Sequence, residues 1–268
     1  MPIFTDTHAH LYLHQFDEDR AEMMQRALTN GVTKIFLPNV DSETIADLYQ
    51  LADAYPANCF PMMGLHPCSV KQNFEEELAL AEKELKNSGR RFYAVGEIGL
   101  DFYWDITFRE KQFIALEHQM NWAKELDLPI VLHCRNSFSE TIDIVQQHHE
   151  GGKLTGVFHC FSGTVEEAIQ VTELNNFYMG IGGSSTYKKS TLNEVIAAID
   201  LSYFVLETDA PYLAPEPYRS AKNQHAKRNE SAYLLNIAQK IADIKNISLE
   251  EVAEITTKNA MQLFKMPA

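Results

Sequence analysis

The stretch Phe4-Thr5-Asp6-Thr7-His8-Ala9-His10 sets two imidazoles two residues apart, directly behind the short apolar run Ile3-Phe4. In an extended chain residues i and i+2 share a face, the arrangement one metal ion needs from a strand end. The same local context recurs along the sequence. Glu97 follows Phe92-Tyr93-Ala94-Val95, His133 follows Ile130-Val131-Leu132, His159 follows Gly156-Val157-Phe158, and Asp209 lies just past Phe204-Val205-Leu206. Apolar runs of this length read as buried strands. Side chains delivered at the same end of several parallel strands are how a (β/α)₈ barrel, a TIM barrel of the α/β class, builds its chemistry. Four imidazoles and two carboxylates suit one or two divalent ions, so a metal-dependent hydrolase is expected.

The rest of the chain alternates in the way a barrel requires. Strands are expected at Ile3–Asp6, Lys34–Pro38, Cys59–Gly64, Phe92–Glu97, from Pro129, and at Gly156–His159, Phe177–Gly182 and Tyr203–Thr208. Helices are expected between them at Phe16–Thr29, Glu43–Ala54, Glu75–Asn87, Phe108–Leu126, Asn136–His149, Val165–Leu174 and Leu192–Ile199. Two more, Glu230–Ile244 and Leu249–Phe264, close the chain, the last with a capping-box match between Ser248 and Glu251. That gives eight strand–helix units and a trailing C-terminal helix, with no linker or composition break, and residues 1–268 are expected to form one domain. An open doubly wound sheet would gather ligands at one crevice rather than from strands across the chain, so the barrel is preferred.

Composition is that of a soluble globular protein, 45% hydrophobic and 22% charged. A formal net charge of −14 argues against broad non-specific nucleic-acid binding through the global field. It leaves a nucleic-acid substrate open, because bound divalent cations reverse the local sign. The four cysteines, Cys59, Cys68, Cys134 and Cys160, have no C-x-x-C spacing, and a reducing cytoplasm is expected. Cys134 and Cys160 directly follow candidate ligands, and by strand alternation they should face the surrounding helices. Neither a signal-type N-terminus nor a long apolar stretch is seen, and nothing calls for a membrane or an obligate protein partner.

Individual groups take defined roles on this reading. Glu97, flanked by Gly96 and Gly99, which permit close backbone approach, stands between two histidine-rich groups and is suited to bridge two ions, the competing reading being a capping or ion-paired Glu at a strand end. Asp209 is suited both to hold an ion and to accept the proton of an attacking water. Arg135, on the His133 face, is expected to contact an anionic substrate, the competing reading being a salt bridge to Glu207 or Asp101. Glu207 shares a face with Asp209, and His66 in Gly64-Leu65-His66-Pro67 is a leaving-group acid or phosphate contact if it is not merely structural. The proline-rich loop 210–229 carries Arg219, Lys222, His225, Lys227 and Arg228, a dense basic cluster in an acidic chain and an expected phosphate contact.

Taken together, Asp6-Thr7-His8-Ala9-His10-Leu11, Gly64-Leu65-His66-Pro67, Gly96-Glu97-Ile98-Gly99-Leu100-Asp101, His159-Cys160-Phe161-Ser162-Gly163 and Glu207-Thr208-Asp209-Ala210-Pro211-Tyr212-Leu213 resemble the TatD family of metal-dependent hydrolases, within the amidohydrolase-like barrel superfamily. The resemblance implies two ions, one among His8, His10, Glu97 and Asp209, the other among Glu97, His133 and His159. It further implies DNA catabolism by phosphodiester cleavage, as a Mg²⁺-dependent 3′→5′ exodeoxyribonuclease acting on single strands or 3′ ends. The imidazoles by themselves favour Zn²⁺, and Mn²⁺ also fits. Two segments depart from the family pattern: Asn136 stands where Asp is expected, and the basic loop runs longer and ends in Ser231. The same metal-activated chemistry also suits a carboxylic ester, lactone, amide or aminoacyl-tRNA bond, and that is the alternative reading.

Overall fold

The strand sequences decide the architecture through a period of two. The computed structural model describes residues 2–149, 151–220 and 228–266. Its strands are β1 (Phe4–Asp6), β2 (Val32–Leu37), β3 (Cys59–Pro61), β4 (Val95–Asp101), β5 (Ile130–Arg135), β6 (Gly156–Phe158), β7 (Phe177–Ile181) and β8 (Phe204–Leu206), all parallel to their neighbours. Helices α1 (Arg20–Thr29), α2 (Ile45–Ala54), α3 (Phe74–Asn87), α4 (Arg109–Leu126), α5 (Phe138–His148), α6 (Val165–Glu173) and α7 (Leu192–Ala198) follow the first seven strands. After β8 come α8 (Leu234–Lys245) and the trailing α9 (Leu249–Leu263).

Strands β1-β2-β3 and β4 to β8 form two sheets, and two narrow seams join them into a closed barrel. At one seam Met63 pairs with Val95, with Gly96 N–H donating to Met63 O (3.1 Å). At the other Ala9 pairs with Ala210, and Asp209 N–H donates to His8 O (2.9 Å). The fold is the (β/α)₈ barrel expected from the alternation of elements.

Inward and outward residues separate as the pleat demands. Ile130, Leu132 and Phe158 join the large core between strands and helices. Val131, Val157, Tyr178 and Val205 instead meet Phe36, Phe60 and Met62 inside the barrel. The bottom of that interior is plugged by the end of α9, where Ala260, Leu263 and Phe264 enter and Phe264 stacks on Phe36 at 3.7 Å between centroids. Asn259 fastens the plug, its Nδ2 donating to Leu201 O (3.0 Å) and Phe204 O (2.8 Å). With apolar layers filling the lower barrel, His133, two positions further along β5, stands at the C-terminal mouth, and Glu207, just past β8, lies buried beneath it.

Boundaries differ from the sequence reading at many elements, and three of the differences bear on the barrel and its site. The first helix starts at Arg20, because His14–Phe16 forms a separate 3₁₀ turn that buries Phe16. Strand β3 stops at Pro61. Strand β4 runs on to Asp101, through a register irregularity between Val95 and Ile98 opposite Ile130 and Leu132. Ser248 caps α9, its hydroxyl accepting the Glu251 N–H (3.1 Å), one of the two bonds of the expected capping box.

Removing the plug's ring tests its contribution. Phe264→Ala is expected to lower unfolding free energy by about 3–5 kcal/mol in urea titrations, the usual cost of deleting a buried aromatic. A loss below about 1 kcal/mol would show that the barrel floor does not depend on it.

Candidate metal centre

The irregularity in β4 is what turns Glu97 inward. Val95 packs outward into the main core, so strict alternation would send Glu97 outward with it. One extra residue between Val95 and Ile98 resets the phase, as a β-bulge does. Beyond it Gly99 pairs with His133, and a Cβ on Gly99, whose φ is +144°, would sit 2.0 Å from His133 O. Only glycine fits there. Strands β4 and β5 can therefore approach closely enough for Glu97 and His133 to touch.

Glu97 is 2% exposed, and its two oxygens face different imidazoles. Oε2 lies 3.0 Å from His8 Nε2 and 3.4 Å from His10 Nε2. Oε1 lies 2.9 Å from His133 Nδ1, 3.2 Å from His66 Nε2 and 3.8 Å from His159 Nε2. Asp209 Oδ1 stands across from them, 3.7 Å from His10 Nε2, 3.8 Å from His159 Nε2 and 3.9 Å from His8 Nε2. All six residues singled out in the sequence converge, and His66 joins them.

A further set of groups holds these rings in place. Tyr12 donates its hydroxyl hydrogen to Pro38 O (2.6 Å), so its oxygen must accept from His10 Nδ1 (3.0 Å). That leaves the lone pair of His10 on Nε2, aimed at Glu97 and Asp209. Asp101 takes His133 Nε2 at 2.8 Å, which directs Nδ1 at Glu97. Asp6, fully buried, accepts from His8 N–H (3.3 Å), Thr208 N–H (2.9 Å), Thr208 Oγ1 (2.6 Å) and Ser231 Oγ (2.6 Å). It ties the His8 backbone to the Asp209 segment. Tyr12 carried no recognisable signal in the sequence. Asp6 was visible only as a letter within a motif, and Asp101 only there and as a rival partner for Arg135.

Several expectations need correction. Glu207 is not a substrate contact: it is completely buried, with Oε1 3.0 Å from His159 Nδ1 and accepting the Cys160 N–H. It braces His159 from below, in space kept open by Gly180, where a Cβ would meet Glu207 Oε2 at 2.1 Å. Cys160 does not face the helices. Strand β6 ends at Phe158, Cys160 takes a left-handed φ of +49°, and its thiol lies among the donor atoms of His159 and Asp209. Cys134 does pack against the core, although it also borders the cleft. Arg228 is not a substrate contact either. It pairs with Asp19 through Nη1 (2.7 Å) and Nη2 (2.8 Å), and it donates to Gln15 O (2.8 Å). These bonds fasten the post-β8 loop to the start of α1. Lys222, His225 and Lys227 lie outside the described residues.

Arg135 pairs with neither Glu207 nor Asp101. Its guanidinium lies 4.0 Å over the Tyr103 ring and 5.1 Å from the Trp104 ring centroid, at the rim of a cleft of about 780 Å³ that also contains Glu97, His133 and Asp209. Arg219 stacks on Tyr187 at 3.8 Å and lines an adjoining groove rather than this cleft.

The electrostatics are those of a cation site. Burial pushes the Glu97 carboxyl up, but the imidazoles of His66, His8 and His159 hold it well below the usual range. Burial, helped by the neighbouring His159, holds His8 well below the usual imidazole range. Burial also pulls His133 and His159 down, yet the surrounding carboxylates prevail and raise both, His159 to about 10. Asp209 is pushed up to about 6 by burial, against the pull of His159 and His10. Donor atoms of His8, His10 and Glu97, and those of His66, Glu97 and His133, lie within 4.8 Å of one another, and Glu97 belongs to both sets. Hard carboxylate oxygens and neutral imidazole nitrogens converging from separate strands fit divalent ions.

A parallel barrel with such a centre at its C-terminal mouth is the fold and site of a metal-dependent hydrolase. The sequence pattern of the family described as TatD related DNase matches residues 5–265. The chain belongs to that family. It is 35% identical over 263 residues to YabD of Bacillus subtilis, an uncharacterized metal-dependent hydrolase, covering 97% of this chain and 98% of the relative. It is 31% identical over 255 residues to the 3′-5′ ssDNA/RNA exonuclease TatD of Pantoea vagans, covering 94% and 95%. The crystal structure of YjjV, a TatD homologue of Escherichia coli K12, superposes with a TM-score of 0.89 at 30% identity, covering 98% of both chains.

Raised imidazoles make ion binding pH-dependent with a definite sign. Rings that carry protons in the metal-free protein must lose them to bind, so affinity should rise as pH increases from 6 to 8, by about tenfold per unit for each proton displaced. Calorimetric titration with Zn²⁺ or Mn²⁺ in buffers of different ionisation enthalpy reads this directly, and a pH-independent constant would contradict it. Tyr12→Phe should weaken binding about 10–100-fold by freeing the His10 ring.

Proposed function

We propose that the protein hydrolyses phosphodiester bonds of single-stranded nucleic acid, DNA foremost, and removes nucleotides from the 3′ end. The observation that carries the reading is the rim of the cleft, where Arg135 stacks on Tyr103 and Trp104 beside Glu97 and Asp209. Trp104 is 69% exposed, an unusual cost for a ring with no ligand to cover. Exposed aromatic faces accept bases, and a guanidinium accepts phosphate oxygens. A small carboxylic ester or lactone has no use for either. The name carried by the Pantoea relative supports the same substrate class.

His8, His10, Glu97 and Asp209 would hold one ion, and Glu97, His133 and His159 the other, with His66 alongside the second. Mg²⁺, Mn²⁺ and Zn²⁺ are all compatible with the donors. Such a pair of ions, when bound, activates water and neutralises charge on the scissile phosphate. Asp209, lifted to about 6 by burial, is still ionised at neutral pH and accepts the proton of the attacking water. As the new oxygen–phosphorus bond forms, the bond to the leaving 3′ oxygen breaks. His66, with Nε2 towards the cleft and its pKa raised by Glu97 against burial, returns a proton to that oxygen. Arg135 orients the anionic phosphate.

Residues 1–268 act as one unit on this proposal. It works in the cytoplasm, in keeping with four unpaired cysteines, as part of DNA catabolism. Among the described residues no helix is long and apolar enough to cross a membrane.

The test is hydrolysis of single-stranded DNA, RNA, p-nitrophenyl acetate and a lactone by metal-loaded protein. Single-stranded DNA should be cleaved from its 3′ end, and Glu97→Ala or Asp209→Ala should each lower kcat by ~10³-fold, several kcal/mol of lost stabilisation. Turnover of the carboxylic esters without cleavage of DNA would overturn the proposal.

A further inference from the structure

A second groove, of about 550 Å³, opens off the metal cleft. The two share Ser162 and Ser184 in their walls, so the groove adjoins the cleft directly. The groove is lined by Lys188, Lys189 and Arg219, facing one carboxylate, Glu216. Among the described residues none of these three cations makes an ion pair, whereas Arg26, Arg90, Arg109 and Arg228 all do. Arg219 is held in place by its stack on Tyr187, and Ser184 Oγ is buried without a hydrogen-bond partner.

On the other side of Ser162 a third groove, of about 370 Å³, also meets the cleft, through Cys134 and His159. Besides those two, its titratable lining residues are the carboxylates Glu140, which pairs with Arg109 (2.9 Å), and Glu167; among the described residues no lysine or arginine lines it. A polyanion therefore meets lysine and arginine side chains along the first exit and none along the second.

We infer that the Lys188–Lys189–Arg219 groove seats the phosphates of a polynucleotide on the 5′ side of the scissile one, and that the strand leaves the centre by this route alone. The inference rests on the phosphodiesterase reading and extends it: the substrate is a strand of several nucleotides, and affinity grows with its length. In a protein of net charge −14, three cations along one exit, without an ion pair among the described residues, give a strand its direction where the overall field gives no attraction.

The test compares wild type, Lys188→Ala/Lys189→Ala and Lys188→Glu/Lys189→Glu on a single-stranded ten-nucleotide DNA and on a dinucleotide. Fluorescence anisotropy reads binding of the longer strand independently of turnover. For the Glu variant, KM on the longer strand should rise about tenfold or more relative to KM on the dinucleotide. The Ala variant should lower the slope of log K against log salt by about 1.4, from about 0.7 for each phosphate that the lysines no longer neutralise. If wild type cleaves the DNA but length dependence, anisotropy and salt slope are unchanged in both variants, the groove inference is wrong and the phosphodiesterase reading stands. If wild type binds the strand, loses binding on charge reversal and cleaves no phosphodiester, the groove stands and the activity is wrong. Absence of both binding and cleavage by wild type overturns both.

Discussion

Everything at the mouth of this barrel depends on one carboxylate. Glu97 is buried, and each of its oxygens meets a different group of imidazole nitrogens, His8 and His10 on one side, His133, His66 and His159 on the other. A buried charge left unpaired costs several kcal/mol, and so does a cluster of buried imidazoles that share protons. Glu97 offsets both within the protein, and divalent ions would do so more completely. The surrounding design keeps that carboxylate in place: the phase reset in β4, the glycine at 99 that lets β5 approach, and the Asp6 network that ties β1 to the segment after β8.

Around that carboxylate the rings are fixed by partners one step further out. Tyr12 sets the tautomer of His10, Asp101 turns His133, and Glu207 braces His159. These groups share a logic: each occupies the ring nitrogen that does not face the centre, which leaves the other with its lone pair inward. The apolar layers of Val131, Val157 and Val205 below, closed by Phe264, make the floor dry and rigid enough for the arrangement to persist.

The barrel was legible because buried parallel strands are written as short apolar runs, and all eight stand out between amphipathic stretches. The six converging residues were legible for a related reason. A polar residue just beyond such a run has few places to be except the barrel mouth. Other features resisted reading. Strict alternation would have turned Glu97 outward, and only the irregularity at Gly96 and Glu97 brings it in. Glu207 does share the inward face of β8, but whether an inward carboxylate reaches the cleft or stops beneath a histidine is a matter of depth, which periodicity does not encode. Cys160 was assigned by alternation two residues beyond the end of β6, where the chain had already turned left-handed. Arg228 looked like its basic neighbours, yet the fold brings Asp19 from the distant start of α1 against it. Lys188 and Lys189 drew no attention, because two lysines in a loop read as solvated until the groove between β7 and β8 gives them a common direction.

The most direct measurement is anomalous diffraction from crystals of the protein soaked in Mn²⁺ or Zn²⁺, beside Glu97→Ala crystals treated in the same way. Two peaks about 3.5–4 Å apart, one on each side of the Glu97 carboxylate and both weakened or lost in the variant, are expected for a shared bridging ligand. A single peak that survives the loss of Glu97, or two peaks to which Glu97 is not bonded, would contradict the central role given to this carboxylate.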